Sequence, residues 1–162
     1  MEIVLPQAEK VADLLKRRGE SIAVAESSTG GLIAAALLAM PGASAYFLGG
    51  AVVYTKAARA ALLGIGDAEM AGLRPSTEPY ALMIAKRVRD KHGAVWGIGE
   101  SGATGPTGNR YGDAAGHSCI AIVGPTEKVI SLETGKADRA ANMRAFAARA
   151  LEFFAETLGA AR

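Results

Sequence analysis

The sequence predicts an α/β fold: a three-layer α/β/α arrangement around a mixed, mostly parallel sheet, in one domain over residues 1–162. Three observations carry this. Short β-prone runs alternate with amphipathic helical patterns through the earlier part of the chain, the order of a parallel sheet covered on both faces. Two later β-prone runs, Ser118 to Val123 and Lys128 to Leu132, are joined through Gly124-Pro125 and read as an antiparallel hairpin, so the sheet is mixed. No internal repeat or linker divides the 162 residues, a length that suits one domain.

Each element has a local reason. Residues 7–18 form a first helix, with Ala8, Val11, Leu14 and Leu15 as its apolar stripe and Gly19 as its stop. Ser21 to Ala25 is a short strand. Residues 29–40 read as a very apolar helix, capped by Thr29 and ended by Pro41-Gly42. A strand is expected within 46–54, where Tyr46, Phe47, Val52, Val53 and Tyr54 cluster. Short helices follow over 56–63 and 67–73. Thr77 caps a longer helix to about His92, with Pro79 in its first turn. Ala94 to Ile98 is a strand, followed by a Gly-rich loop. The last helix runs from Asp138 to Leu158, with Phe146, Ala150, Phe154 and Leu158 on its buried face.

Composition narrows the function. Lys plus Arg is 18 against Asp plus Glu 16, a net charge of +2, too small and too scattered for a nucleic-acid footprint. Aromatic residues make up 6%, too few for stacking on single strands. The single cysteine excludes an internal disulfide or a multi-cysteine zinc site, and two histidines leave little for a metal centre. No apolar run reaches membrane-spanning length. MEIVLPQAEK carries no basic leader or apolar signal region, so a cytoplasmic protein is expected. The apolar character of 29–40 and 137–158 on nearly every face predicts a homo-oligomer.

Two polar Gly-rich segments, each after a predicted strand, are the places for chemistry. Glu26-Ser27-Ser28-Thr29-Gly30-Gly31 opens a predicted helix, where free N–H groups attract anions and hydroxyls gather. Its spacing matches neither a dinucleotide fingerprint nor a P-loop. The second runs from Gly99 to Gly108, in the crevice where open α/β sheets bind ligands. A phosphate is expected near Gly30-Gly31 or the Gly102–Gly108 stretch. Ser44 reads as the cap of a short helix or as a nucleophile beside a base. His92 at a helix end and His117 at a strand start read as structural, and Cys119 as a buried thiol. The Lys16-Arg17-Arg18 and Lys86-Arg87-Arg89 clusters read as solvated helix faces.

The run AESSTGGLIAAALLAMPGASAYFLGGAVVY is similar to the signature of the CinA C-terminal domain family, which includes nicotinamide-nucleotide amidases. ESGATGPTG resembles that family's (T/S)G-x-AGP-x-G loop, and Gly135 with Asp138-Arg139 echoes its Gly-Asp-Arg. The chain looks like the stand-alone form, without the larger N-terminal domain of full members. The resemblance implies an α/β/α fold and a hydrolase that removes ammonia from the carboxamide of nicotinamide mononucleotide, giving nicotinate mononucleotide. It implies no metal and no cofactor, a small nucleotide as partner, and neither nucleic acid nor membrane.

The residues carried over by the resemblance are Ser27, Ser44, Tyr54 and Arg59 for catalysis. For substrate binding they are Glu26, Thr29, Gly30, Gly31, Ser101, Gly102, Thr104, Gly105 and Pro106. Members commonly continue the tyrosine as Y-S-N-E-x-K, whereas this chain reads Tyr54-Thr55-Lys56-Ala57-Ala58-Arg59, with Arg59 at the Lys position. Two further departures are Thr104 for Ala and Gly112-Asp113-Ala114-Ala115-Gly116 for Lys-Pro-Val-Gly. Arginine keeps its proton and cannot act as a general base. Three functions are therefore expected to compete: an amidase, a weak or inactive relative that binds a nucleotide as a sensor or regulatory protein, and another small amidohydrolase acting on a different carboxamide.

Overall fold

A computed structural model describes residue 2 and residues 4–160. Five strands, β1 (Ile22–Glu26), β2 (Phe47–Val52), β3 (Trp96–Ala103), β4 (His117–Val123) and β5 (Glu127–Glu133), form one sheet in the order β2-β1-β3-β4-β5. β2, β1 and β3 pair in parallel, and β4 is antiparallel to both β3 and β5. Four strands thus point one way and β4 alone opposes them. The helices are α1 (Leu5–Arg18), α2 (Leu32–Leu38), α3 (Lys56–Leu63), α4 (Glu78–His92) and α5 (Arg139–Ala160). Three layers result, because α1, α2 and α5 cover one face of the sheet while α3 and α4 cover the other.

The period-2 alternation of the central strands decides which helix lies where. Ile22, Val24, Trp96, Ile98, Ile120 and Ile122 point into the larger core with Leu15, Ile33, Leu37 and Phe154. The intervening positions are small: Ala23 and Ala25 on β1, Gly97 and Gly99 on β3, Cys119 and Ala121 on β4. Small residues let α4 approach the sheet closely. A Cβ on Gly99 would overlap the Ala81 carbonyl and stand 2.9 Å from the Ala85 nitrogen. Gly99→Ala is accordingly expected to cost about 2–3 kcal/mol through overpacking, read as a lower denaturant midpoint.

The outer strands differ from the centre. β5 exposes Glu127, Lys128 and Glu133, charges that discourage edge pairing. β2 exposes Leu48 and Val52. The apolar helix expected over 29–40 shrinks to α2, which packs between α1, α5 and the sheet and leaves Leu38 at 54% exposure. Two other expectations change. Residues 67–73 form successive turns, Met70 N to Asp67 O and Leu73 N to Met70 O, in place of a helix. The expected loop after Ile98 is still strand as far as Ala103, because all seven residues from Gly97 to Ala103 pair with β4. Thr77 does cap α4, its hydroxyl accepting from Tyr80 N at 3.3 Å. Among the described residues no helix is long and apolar enough to cross a membrane.

Candidate active site

The carboxyl ends of β1, β2 and β3 lie at one edge of the sheet, and each leads into a polar segment. After β1 the chain turns at Gly30 and Gly31, with φ of 64° and 101°. The Gly31 conformation is one that glycine alone adopts cheaply, and it delays α2 until Leu32. Thr29 is therefore not the cap of that helix. The capping group is the carboxylate of Glu26, which accepts from the backbone N–H groups of Gly31 (2.8 Å), Ile33 (3.2 Å) and Ala34 (2.9 Å).

A second buried carboxylate completes the loop. Glu26 and Glu100 occupy neighbouring strands and both side chains lie at the α2 end of the larger core. Glu100 is fully buried and accepts from Ser27 N (3.0 Å), Thr29 N (3.1 Å), the Thr29 hydroxyl (2.9 Å), the Ser118 hydroxyl (3.1 Å) and the Ser28 hydroxyl. The Thr29 hydroxyl also lies 2.6 Å from Glu26, so its single proton stands between two carboxylates. Burial pushes the Glu26 carboxyl above its usual range against the hydrogen bonds from Thr29, Ala34 and Ile33, and repulsion from Glu100 adds to the rise. The anion site expected at Gly30-Gly31 is thus filled by the protein's own carboxylates.

A cavity of about 340 Å³ opens beside this loop, lined by Ser27, Tyr54, Lys56, Arg59, Ser76 and Ser101 among others. A second, of about 210 Å³, adjoins it through the shared Tyr54, Gly102 and Asn109 and is walled by Ser28, Thr104, Gly105, Gly108 and Arg139. Lys56, Arg59, Arg110 and Arg139 line the two cavities and no carboxylate does. The pair of cavities therefore favours an anionic ligand. Among the described residues no cluster of three or more His, Cys, Asp or Glu has metal-binding geometry.

The catalytic candidates separate in space. Ser27, Tyr54 and Arg59 share the larger cavity with Ser101 and Gly102, and Thr104 and Gly105 reach the smaller one. Ser44 does not join them. It sits exposed in a 3-10 turn, Ala43–Ala45, that precedes β2 and so lies at the opposite end of the sheet, and the turn is capped by Gly42 with no side-chain bond. Glu26 and Thr29 are structural partners under the loop, and Gly30, Gly31 and Pro106 stay outside the lining of either cavity.

The hydroxyls are not equivalent. Ser28 and Thr29 donate to the buried carboxylates, and Ser101 accepts from Ser76 N at 3.1 Å. The Ser27 hydroxyl has no protein partner among the described residues and opens on the larger cavity. Arg59 packs with its guanidinium 5.9 Å from the centre of the Tyr80 ring, and its Nε is buried without a partner. Burial raises the Tyr80 hydroxyl pKa, with Arg59 pulling it back. Lys56 is turned outward in a 2.9 Å pair with Asp67, both side chains at least 70% exposed.

Several contributors escaped the sequence reading. Glu100 carries no sequence signal of its role, because it falls in a Gly-rich run that reads as a loop, whereas it is a buried carboxylate within β3. Arg139 donates to the Gly105 carbonyl (2.6 Å) and the Tyr54 hydroxyl (3.2 Å), joining the ends of β2 and β3 to α5. Its signal was the Gly135 and Asp138-Arg139 pattern. Asp113 orders the long loop before β4. It accepts from both terminal nitrogens of Arg74 (2.8 and 3.2 Å) and from Asn109, and Arg74 holds its carboxyl below the usual range.

Known proteins share this fold. The CinA C-terminal domain family matches residues 5–158. A CinA-like protein of Prochlorococcus marinus is 42% identical over 118 residues, covering 73% of this chain and 28% of that protein. One from Chloroherpeton thalassium is 37% identical over 161 residues, covering 96% of this chain and 38% of that protein. The chain thus spans well under half the length of these relatives. Among solved structures, the competence-damaged protein (CinA) superfamily protein of Klebsiella pneumoniae superposes with a TM-score of 0.90 at 25% identity, covering 97% of this chain and 98% of that one. The competence/damage inducible protein CihA of Agrobacterium tumefaciens gives 0.86 at 26% identity, covering 97% and 96%. With the match running from α1 to near the end of α5, the chain belongs to the CinA C-terminal domain family.

Proposed function

We propose that this domain binds nicotinamide mononucleotide in the paired cavities and is a slow nicotinamide-nucleotide amidase, with Ser27 as nucleophile. The observation that carries this reading is the Ser27 hydroxyl: it is the one hydroxyl of its loop left unbonded, and it faces a cationic cavity of about 340 Å³. In the proposed reaction Ser27 Oγ attacks the carboxamide carbon and the hydroxyl proton passes to the leaving nitrogen as ammonia departs. Water then cleaves the resulting ester, giving nicotinate mononucleotide and restoring the serine. The nucleotide phosphate takes the smaller cavity beside Arg139, Gly105 and Gly108, since the N–H groups before α2 already serve Glu26 and Glu100.

A second reading, nucleotide binding without turnover, is favoured by one observation. Arg59 presents a buried, unpartnered Nε where an amidase of this family has its Lys, and a guanidinium binds anions without accepting a proton. Calorimetric titration with nicotinamide mononucleotide and an ammonia assay separate the two. Binding with slow ammonia release that falls to background in Ser27→Ala supports the amidase. Binding with no release above that variant supports the sensor, and release that survives Ser27→Ala removes Ser27 from the role.

A further inference from the structure

Ser76 is, among the described residues, the one non-glycine residue with positive φ, at 63°. It is buried and lines the larger cavity next to Ser101. Left-handed backbone at a residue with a Cβ is held only when its surroundings over-determine it. Here both backbone polar groups of Ser76 are tied. Its N–H donates to Ser101 Oγ at 3.1 Å, and its carbonyl lies 2.8 Å from Nε2 of His117. The other ring nitrogen of His117 meets the carboxylate of Glu133. A carbonyl oxygen and a carboxylate oxygen only accept, so both ring nitrogens must donate at once. An imidazolium does this and neither neutral tautomer can.

The surroundings suit a charged ring. Asp113, from the loop before β4, lies 3.8 Å from Nε2, and Glu133 on β5 faces Nδ1. The guanidinium of Arg74 stands behind Asp113, paired with it at 2.8 Å. On β4 itself the Cys119 sulfur is 3.6 Å from Nε2, and burial pushes its thiol up, so it stays neutral. From α4, Glu78 approaches only through the Ser131 hydroxyl, at 2.6 Å. Burial of the His117 ring works against its charge, but the Ser76 carbonyl, Glu133 and Asp113 outweigh it and hold its pKa above the ordinary 6.5.

We propose that His117, as an imidazolium, is a positioning residue for the larger cavity: it holds the strained Ser76 peptide, and through it Ser101, in the ligand-binding arrangement, and this hold is released when the ring loses its proton. The part that concerns the ligand rests on the nucleotide reading above. A neutral ring keeps one of its two bonds, so either the Ser76 carbonyl is left with only the weak Cys119 S–H donor, at 3.5 Å, or Glu133 loses its donor.

The test uses the full chain with His92→Gln, which leaves His117 as its sole imidazole. Ring and amide NMR signals are followed from about pH 5 to about pH 9, with nicotinamide mononucleotide affinity measured over the same range. The ring is expected to titrate above 6.5, with the Ser76 and Ser101 amides moving at the same midpoint and affinity falling about tenfold across it. Glu133→Gln, at a side chain 59% exposed, should fold and shift the ring, amide and affinity midpoints together to lower pH. The ligand's own phosphate titration is common to both proteins and cancels in that comparison. His117→Gln retains a donor toward Ser76 and should bind with a flattened pH profile. A ring that is neutral throughout, amides that ignore its titration, or an affinity profile unmoved by Glu133→Gln would each overturn the proposal. Absence of binding at every pH would overturn the nucleotide reading alone, while the co-titration of Ser76 and Ser101 still decides the role of His117.

Discussion

Glu100→Ala is expected to lower the unfolding free energy by about 3–5 kcal/mol and to loosen the loop that carries Ser27. The side chain is fully buried and its two oxygens receive five donors: two backbone N–H groups from Ser27 and Thr29, and the hydroxyls of Ser28, Thr29 and Ser118. Removing the carboxylate leaves those donors buried, and each unsatisfied one costs about 1–3 kcal/mol unless water enters. Glu100→Gln should be nearly as harmful, because its amide turns two protons toward groups that also donate. Denaturant unfolding reads the stability, and hydrogen exchange at the amides of residues 27–31 reads the loop. A loss below about 1 kcal/mol, with exchange unchanged, would mean that the loop holds its shape without this carboxylate.

Arg59→Lys is expected to raise ammonia release from nicotinamide mononucleotide by about a hundredfold over the unmodified chain. A serine hydroxyl needs a neighbouring base, and a guanidinium retains its proton. The structure also weakens the nearest substitute, since Lys56 turns outward to Asp67. A lysine at 59 would enter a cavity already walled by Arg110 and partly closed from water, and both conditions favour its neutral form. Steady-state assays across pH should show a new basic limb in the variant, which disappears in Ser27→Ala/Arg59→Lys. Equal rates for Arg59→Lys and the unmodified chain would exclude Arg59 as the position that limits turnover. Robust turnover of the unmodified chain would place the base elsewhere.

Much of the architecture was legible because it follows from local rules. The stripe of Ala8, Val11 and Leu15 marked α1, Thr77 with Pro79 marked the start of α4, and the late hairpin around Gly124-Pro125 marked β4 and β5. The failures share one cause. Residues 99–103 look like a loop because Gly and Ala have low strand propensity, but they complete β3, where a Cβ on Gly99 would meet α4 and one on Gly102 would meet the β4 backbone. Thr29 looks like a cap, but the Glu26 carboxylate, arriving from β1, took that role.

From the sequence alone came the order and kind of most elements, the two polar segments that hold Ser27, Ser101 and Gly102, and the family pattern that adds Tyr54 and Arg59. Periodicity and short motifs encode these, since they depend on residues close together along the chain. Tertiary structure alone decided that Ser44 lies at the far end of the sheet, that Glu26 and Glu100 fill the expected anion site, and that Arg139 and His117 reach the cavity walls. Those outcomes depend on parallel register and on which face each side chain takes. In a buried region every N–H must find an acceptor, and which acceptor it finds is set by neighbours distant in sequence, such as Glu100, 73 residues from Ser27.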